Sequence, residues 1–173
     1  MDMPAARPMD LLALCETMKA NADEVARAMV DHWRTIGEAE PWHRLPDDLG
    51  HDHLPHLIRD LAGAALCTEF DREMCRRAVR TSAAHGERRA EAGLDDALLY
   101  REYHLLRRAL WRQMKRVHGE TATIYYAAMR LDALVSLANA AALHGLNRGT
   151  LEAEGRWPRV LDALLDDWPL PSA

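Results

Sequence analysis

Two stretches of this sequence hold side chains that could do chemistry. His51, Asp52, His53 and His56 form the densest group of metal donors in the chain. A zinc or iron site needs three or four converging N, O or S ligands. His53 and His56 share a helix face only if the helix begins before Pro55, and no HExxH pair complements them elsewhere. The plain reading is a solvated loop in which Asp52 or His53 caps the next helix, with no metal bound. The alternative is a helical-bundle, metal-dependent enzyme built on His51, His53 and His56. The second group is His85, Arg88 and Arg89, followed after Gly93 by Glu102, Tyr103 and Arg107. Glu102 and Arg107 are five positions apart and do not share a helix face. Glu102 is therefore expected to reach back across the turn to Arg88 or Arg89, with His85 bonded to Glu102 or to a backbone carbonyl. A buried Tyr103 would need a partner for its hydroxyl. These six residues are expected to form an interhelix clamp or to line a ligand pocket.

Catalysis has little support. Ser82, Ser136 and Ser172 lie in no nucleophile-elbow context. No Gly-rich loop follows a strand-like run, so a phosphate cradle is missing from the pattern. The acidic residues fall mainly on polar helix faces. No enzyme activity and no cofactor are expected.

The elements that must position these residues read as helices. Leu11, Leu14, Met18, Val25, Met29 and Trp33 recur at helical steps and predict one long helix over 9–36. Pro41, Pro46 and Gly50 then mark a loop. Leu54, Leu57, Ile58, Leu61, Ala65 and Leu66 form the apolar face of a second helix, with Pro55 tolerated in its first turn. A third, Arg-rich helix is expected over 71–92, turning Met74, Ala78, Val79 and Ala83 inward. Gly93 stands where a left-handed residue closes a helix, and Asp95 is a candidate N-cap for the next. Leu99, Tyr103, Leu106, Leu110, Met114 and Val117 form the seam of the fourth helix, 96–117. The short His118-Gly119-Glu120 link returns the chain antiparallel into a fifth helix over 121–146. That helix turns Ile124, Ala128, Leu131, Val135, Ala138 and Ala142 to one side, and Gly145, Asn147 and Gly149 are expected to stop it. A short C-terminal helix is expected over 156–168. No run of alternating β-branched residues predicts a strand. One all-α domain over 1–173, with its core in 9–147, follows from the pattern.

Bulk properties narrow the function classes. The 173 residues carry 27 acidic and 22 basic side chains, a formal charge of −5, which argues against a general nucleic-acid binder. Arginines gather between Arg72 and Arg116, which reads as solvated helix faces with internal pairing. Cys15, Cys67 and Cys75 are an odd set without regular spacing and fit a reducing, cytoplasmic setting, with redox sensing a minor alternative. The N-terminus lacks a basic segment followed by an apolar one, so no secretory signal is read. No run of about 18 apolar residues predicts a membrane span.

The order His85, Arg88, Gly93, Glu102, Tyr103, Leu106, Arg107 resembles the N-terminal sensor domain of the RsbR/RsbRD stress-signalling proteins, a non-haem globin-like family. The resemblance runs from about Trp33 to Asn147 and is strongest between His85 and Trp111. It implies a globin-like bundle of five to six helices without haem, and a cytoplasmic sensory or regulatory role in bacterial stress or two-component signalling. It also implies a homodimer, a signalling partner protein, and room for a small apolar or fatty-acid-like ligand. The chain ends in Pro-Leu-Pro-Ser-Ala with no effector domain, so either a stand-alone sensor module or a separate partner that carries the output is expected. A haem-binding globin sensor using His85 is the alternative. Against it, haem-binding relatives carry their ligand about one turn before the glycine, where this sequence has Arg89. The only phenylalanine is Phe70, so Trp or Tyr would have to wall such a pocket.

The fourth and fifth helices are expected to form the dimer contact. Leu106, Leu110, Leu131 and Val135 serve the chain's own core in this reading. Leu105, Trp111, Ala127 and Leu134 are left as a second apolar strip, joined by the small residues Ala138 and Ala141.

Overall fold

The computed structural model describes residues 8–35, 53–67, 71–119, 121–157 and 159–167. These form an all-α fold of α1 (Pro8–Ala20), α2 (Ala22–Thr35), α3 (Leu54–Leu66), α4 (Arg72–Glu91), α5 (Asp96–His118), α6 (Ala122–Leu146), α7 (Arg148–Ala153) and α8 (Arg159–Asp167), with no strand among the described residues. Among the described residues eight helices stand where five or six were expected. The first long helix divides at Asn21, yet hydrogen bonds bridge the division: Asn21 N–H donates to Thr17 and Val25 N–H to Asn21, both at 3.0 Å. The chain bends without unwinding, and Leu14, Met18, Val25 and Met29 all stay buried. The apolar period runs through the bend, which is why it leaves no mark in the sequence. The other addition, α7, is a short turn of helix directly after Asn147. The C-terminal helix is shorter than expected, Arg159–Asp167.

Helix α6 occupies the centre and packs against α1, α3, α4, α5, α7 and α8. Its amphipathicity is correspondingly weak, because it has apolar neighbours on nearly every side. Four residues expected on a free dimer strip are therefore elsewhere. Ala127, Leu134, Ala138 and Ala141 lie buried in the chain's own core. Leu105 and Trp111 are half-buried against that core. Ala128, expected inside, is only half-buried. In the α5 seam, Leu99, Tyr103, Leu106, Leu110 and Met114 are buried, while Val117 is exposed near the helix end.

The ends of the helices follow local chemistry. The Asp71 side chain accepts from the backbone N–H of Glu73 and Met74, opening α4. Asp95 accepts from Leu98 N–H at 2.8 Å, opening α5. Thr121 accepts from Ile124 N–H, opening α6. Between α4 and α5, Gly93 has φ +79°, Gly93 N–H bonds Ala90 O and Leu94 N–H bonds Arg89 O, each at 2.9 Å. This is a Schellman closure, with buried Leu94 supplying its apolar contact.

At the α4–α6 crossing the two helices meet backbone to backbone. A Cβ on Gly86 would lie 1.9 Å from the Ala142 carbonyl oxygen, and one on Gly145 would lie 1.9 Å from that of Ala83. The two backbones touch through a reciprocal pair of glycines. Gly145, read from sequence as a helix stop, is instead inside α6 and serves this crossing.

Candidate functional site

Helix α4 carries His85 and Arg89 four positions apart, hence on one face, and that face is turned to α5. Arg89 also supplies the carbonyl that Leu94 N–H closes upon. The turn thus fixes how α5 departs, and places Glu102 two turns into α5 opposite both side chains. Of the two arginines expected to reach Glu102, Arg89 makes the pair. Its Nη2 donates to Oε1 at 2.7 Å and its Nε to Oε2 at 3.0 Å, a two-pronged bond. His85 Nε2 lies 3.1 Å from the same Oε1, off the line of a good hydrogen bond. His85, Arg89 and Glu102 are 1%, 2% and 1% exposed.

An ionised carboxylate this deep survives only with charge partners. Burial alone would raise the pKa of Glu102. The charges and contacts of His85, then Arg89, outweigh it and hold the carboxyl at about 2. Tyr103 is the neighbour of this cluster. Its ring meets that of His85 edge-on at 6.1 Å, and burial pushes its phenol upward. Its hydroxyl lacks a full hydrogen bond, with Ser82 close by. Ser82 itself donates to the Ala78 carbonyl at 2.7 Å.

Arg107 does not join this cluster. It turns outward to α6, where its Nε pairs with Asp132 at 2.6 Å and its Nη2 donates to Ser136 at 2.8 Å. Arg88 is half-buried on α4. The six residues named from sequence therefore split into a buried core of His85, Arg89, Glu102 and Tyr103, an outer strut at Arg107, and a half-buried Arg88. The residues missed by sequence reasoning are Gly86 and Gly145. The signal for them was a glycine inside each of two otherwise strong helical patterns.

The histidine loop does not assemble a site among the described residues, where no group of three His, Cys, Asp or Glu gathers as metal ligands do. His51 and Asp52 lie outside the described residues, as does Phe70. His53 stands at the N-cap position of α3 without a side-chain cap bond, and His56 is exposed. At His85, Nε2 already faces Glu102, and the adjoining Gly86 touches α6 backbone. That arrangement suits a locked ion pair better than an iron ligand.

A second feature lies on the outside of the α5–α6 pair. Trp111 and Met114 from α5, with Tyr125, Ala128, Met129 and Leu131 from α6, line a groove of about 600 Å³. Tyr125 and Met129 are 46% and 57% exposed. Arg107, Arg108 and Asp132 edge the groove.

No described helix is long and apolar enough to cross a membrane. Among protein families, the model of the RsbT co-antagonist protein RsbRD N-terminal domain matches residues 19–161 of the chain. No curated protein and no solved structure matches it.

Proposed function

This chain belongs to the RsbT co-antagonist protein RsbRD N-terminal domain family, and we propose that it is a cytoplasmic, non-enzymatic sensory domain that signals through protein contacts at its α5–α6 face. The observation that supports this is the apolar groove there. Large exposed apolar side chains cluster on one face of an otherwise charged surface, the usual mark of an interaction site. A second copy of the chain fits it. Arg108 of α5 and Asp132 of α6 both line it and are exposed, so a two-fold contact can set the arginine of one copy against the aspartate of its partner. The remaining surface of the dimer is left for a signalling partner.

The sensing step is a shift between two packings of α5 and α6, driven by an effector that binds one packing better. The α4–α6 glycine crossing and the buried clamp hold the rest of the domain as a fixed frame. The groove also has a size and apolar lining that suit a small apolar or fatty-acid-like ligand, and this is the second reading.

Native mass spectrometry of freshly purified protein separates the two. The dimer reading expects twice the chain mass, converted to monomer by Met129→Glu with the circular dichroism spectrum kept. A monomeric wild type carrying a stoichiometric small molecule would favour the ligand reading. A ligand-free monomeric wild type, or an unaltered dimer in Met129→Glu, would overturn the proposed face.

A further inference from the structure

Helices α2 and α5 leave a cavity of about 200 Å³ between them, on the other side of Arg108 from the α5–α6 groove. Its deep lining is buried Val25 and Met29 from α2 and buried Gln113 from α5. Its rim carries a row of exposed arginines on α5. Arg108, Arg112 and Arg116 stand four positions apart and so share one face. Arg116 meets Glu24 of α2 at 2.8 Å, which neutralises the carboxylate at the mouth. Arg108 and Arg112 have no carboxylate partner among the described residues. The mouth therefore holds an excess of positive charge above a mainly apolar floor.

Gln113 is out of place on such a floor. It is 6% exposed, and its Nε2 has no hydrogen-bond partner. Buried amides are nearly always bonded, because an unmade bond forfeits the hydration given up on burial. The terminal torsion of a glutamine is soft, so a small rotation brings this donor to an oxygen held in the cavity. A mainly apolar lining with a few placed polar groups is how small-molecule sites select one ligand. Inorganic phosphate suits the cavity poorly, since its charged oxygens would face Val25 and Met29. A planar carboxylate at the rim matches the guanidinium fork of Arg112. An apolar body behind it can fill the floor, and an oxygen next to the carboxylate can accept from Gln113.

We propose that the α2–α5 cavity binds a small α-keto acid with a compact apolar body. Its carboxylate rests on Arg112 and Arg108, its body on Val25 and Met29, and its keto oxygen on Gln113. The bound acid ties α2 to α5. Apart from Arg108, the site shares no residue with the α5–α6 groove, so it stands or falls independently of the reading placed on that face.

The test is isothermal titration calorimetry of the full chain with α-ketoisovalerate, isovalerate, the neutral isovaleramide and inorganic phosphate. α-Ketoisovalerate should bind once per chain, isovalerate about tenfold more weakly, and the amide and phosphate not at all. Arg112→Gln, at an exposed position, should weaken α-ketoisovalerate about tenfold. Gln113→Leu, checked for folding by circular dichroism, should bring the two acids to equal affinity. Met129→Glu should leave binding unchanged. The proposal is overturned by silence from both acids, by equal binding of the two acids to wild type, or by phosphate or isovaleramide binding as well as the keto acid. An unchanged affinity in Arg112→Gln, or loss of binding in Met129→Glu, would overturn it too. Should Gln113→Leu not fold, the ratio of the two acids on wild type still decides the keto contact.

Discussion

Helix α6 meets its two long neighbours in opposite ways. Against α4 it comes in through Gly145 and Gly86, backbone on backbone, with no room for even a methyl group. Against α5 it packs through large side chains such as Leu106, Leu110 and Leu131, and the outer edge of that contact is left open as an apolar groove. Close-packed backbones can be satisfied in one arrangement only. Interdigitated side chains can repack, because volume and apolar character matter more there than shape. The first contact is suited to holding a frame and the second to changing with what binds.

The largest effect should come from breaking the frame. Gly145→Val forces a branched side chain into the Ala83 carbonyl, and we expect a loss above about 5 kcal/mol, the exceptional range for one substitution. Denaturant melts would show it, and a loss below that of ordinary overpacking, ~3 kcal/mol, would mean that the helices can separate cheaply. Next comes the clamp that joins the frame to α5. Arg89→Ala removes the two-pronged partner of a fully buried carboxylate and should cost about 3–5 kcal/mol.

The same carboxylate gives a pH signature. Its folded pKa of about 2 lies below its ordinary 4.5. Its stabilising contribution is therefore complete above the ordinary value and is lost as pH falls through the folded one. Stability measured across this acid range should fall steeply in the wild type and more gently in Glu102→Gln. Parallel profiles would remove Glu102 from the account of acid unfolding. Gly93→Ala tests the turn that aims the clamp. With φ +79° and open space around it, the cost is backbone strain alone, about 1–2 kcal/mol. The smallest effect on the fold belongs to the groove. Met129→Glu should change monomer stability by no more than about 0.5 kcal/mol while altering the oligomeric state. A large loss of fold stability there would erase the contrast between the two contacts.

Much of this was legible in the residues. The Gly93 turn, the Asp95 cap and the α5 seam through Met114 follow from local rules, because a positive φ, an N-cap and a helical stripe each have their own residue signature. The reach of Glu102 back across the turn was legible as well, although the choice of Arg89 over Arg88 depends on rotation about α4. The bend at Asn21 was not, since burial on both sides keeps the helical period intact. The second strip on α6 misled for a related reason. Ala127, Leu134, Ala138 and Ala141 look like a surplus apolar face until α3, α4 and α8 are seen to cover the helix.

What the sequence determined by itself is where the long helical stretches run, the Asp95 cap, the order of the turn and clamp residues, and through these the family. Each depends on neighbours within a few positions, where sterics and hydrogen bonding are local. Tertiary structure alone decided two things: that Gly86 and Gly145 meet, and that α6 is enclosed. These depend on how helices cross, and crossing geometry is set by the joint packing of surfaces far apart along the chain.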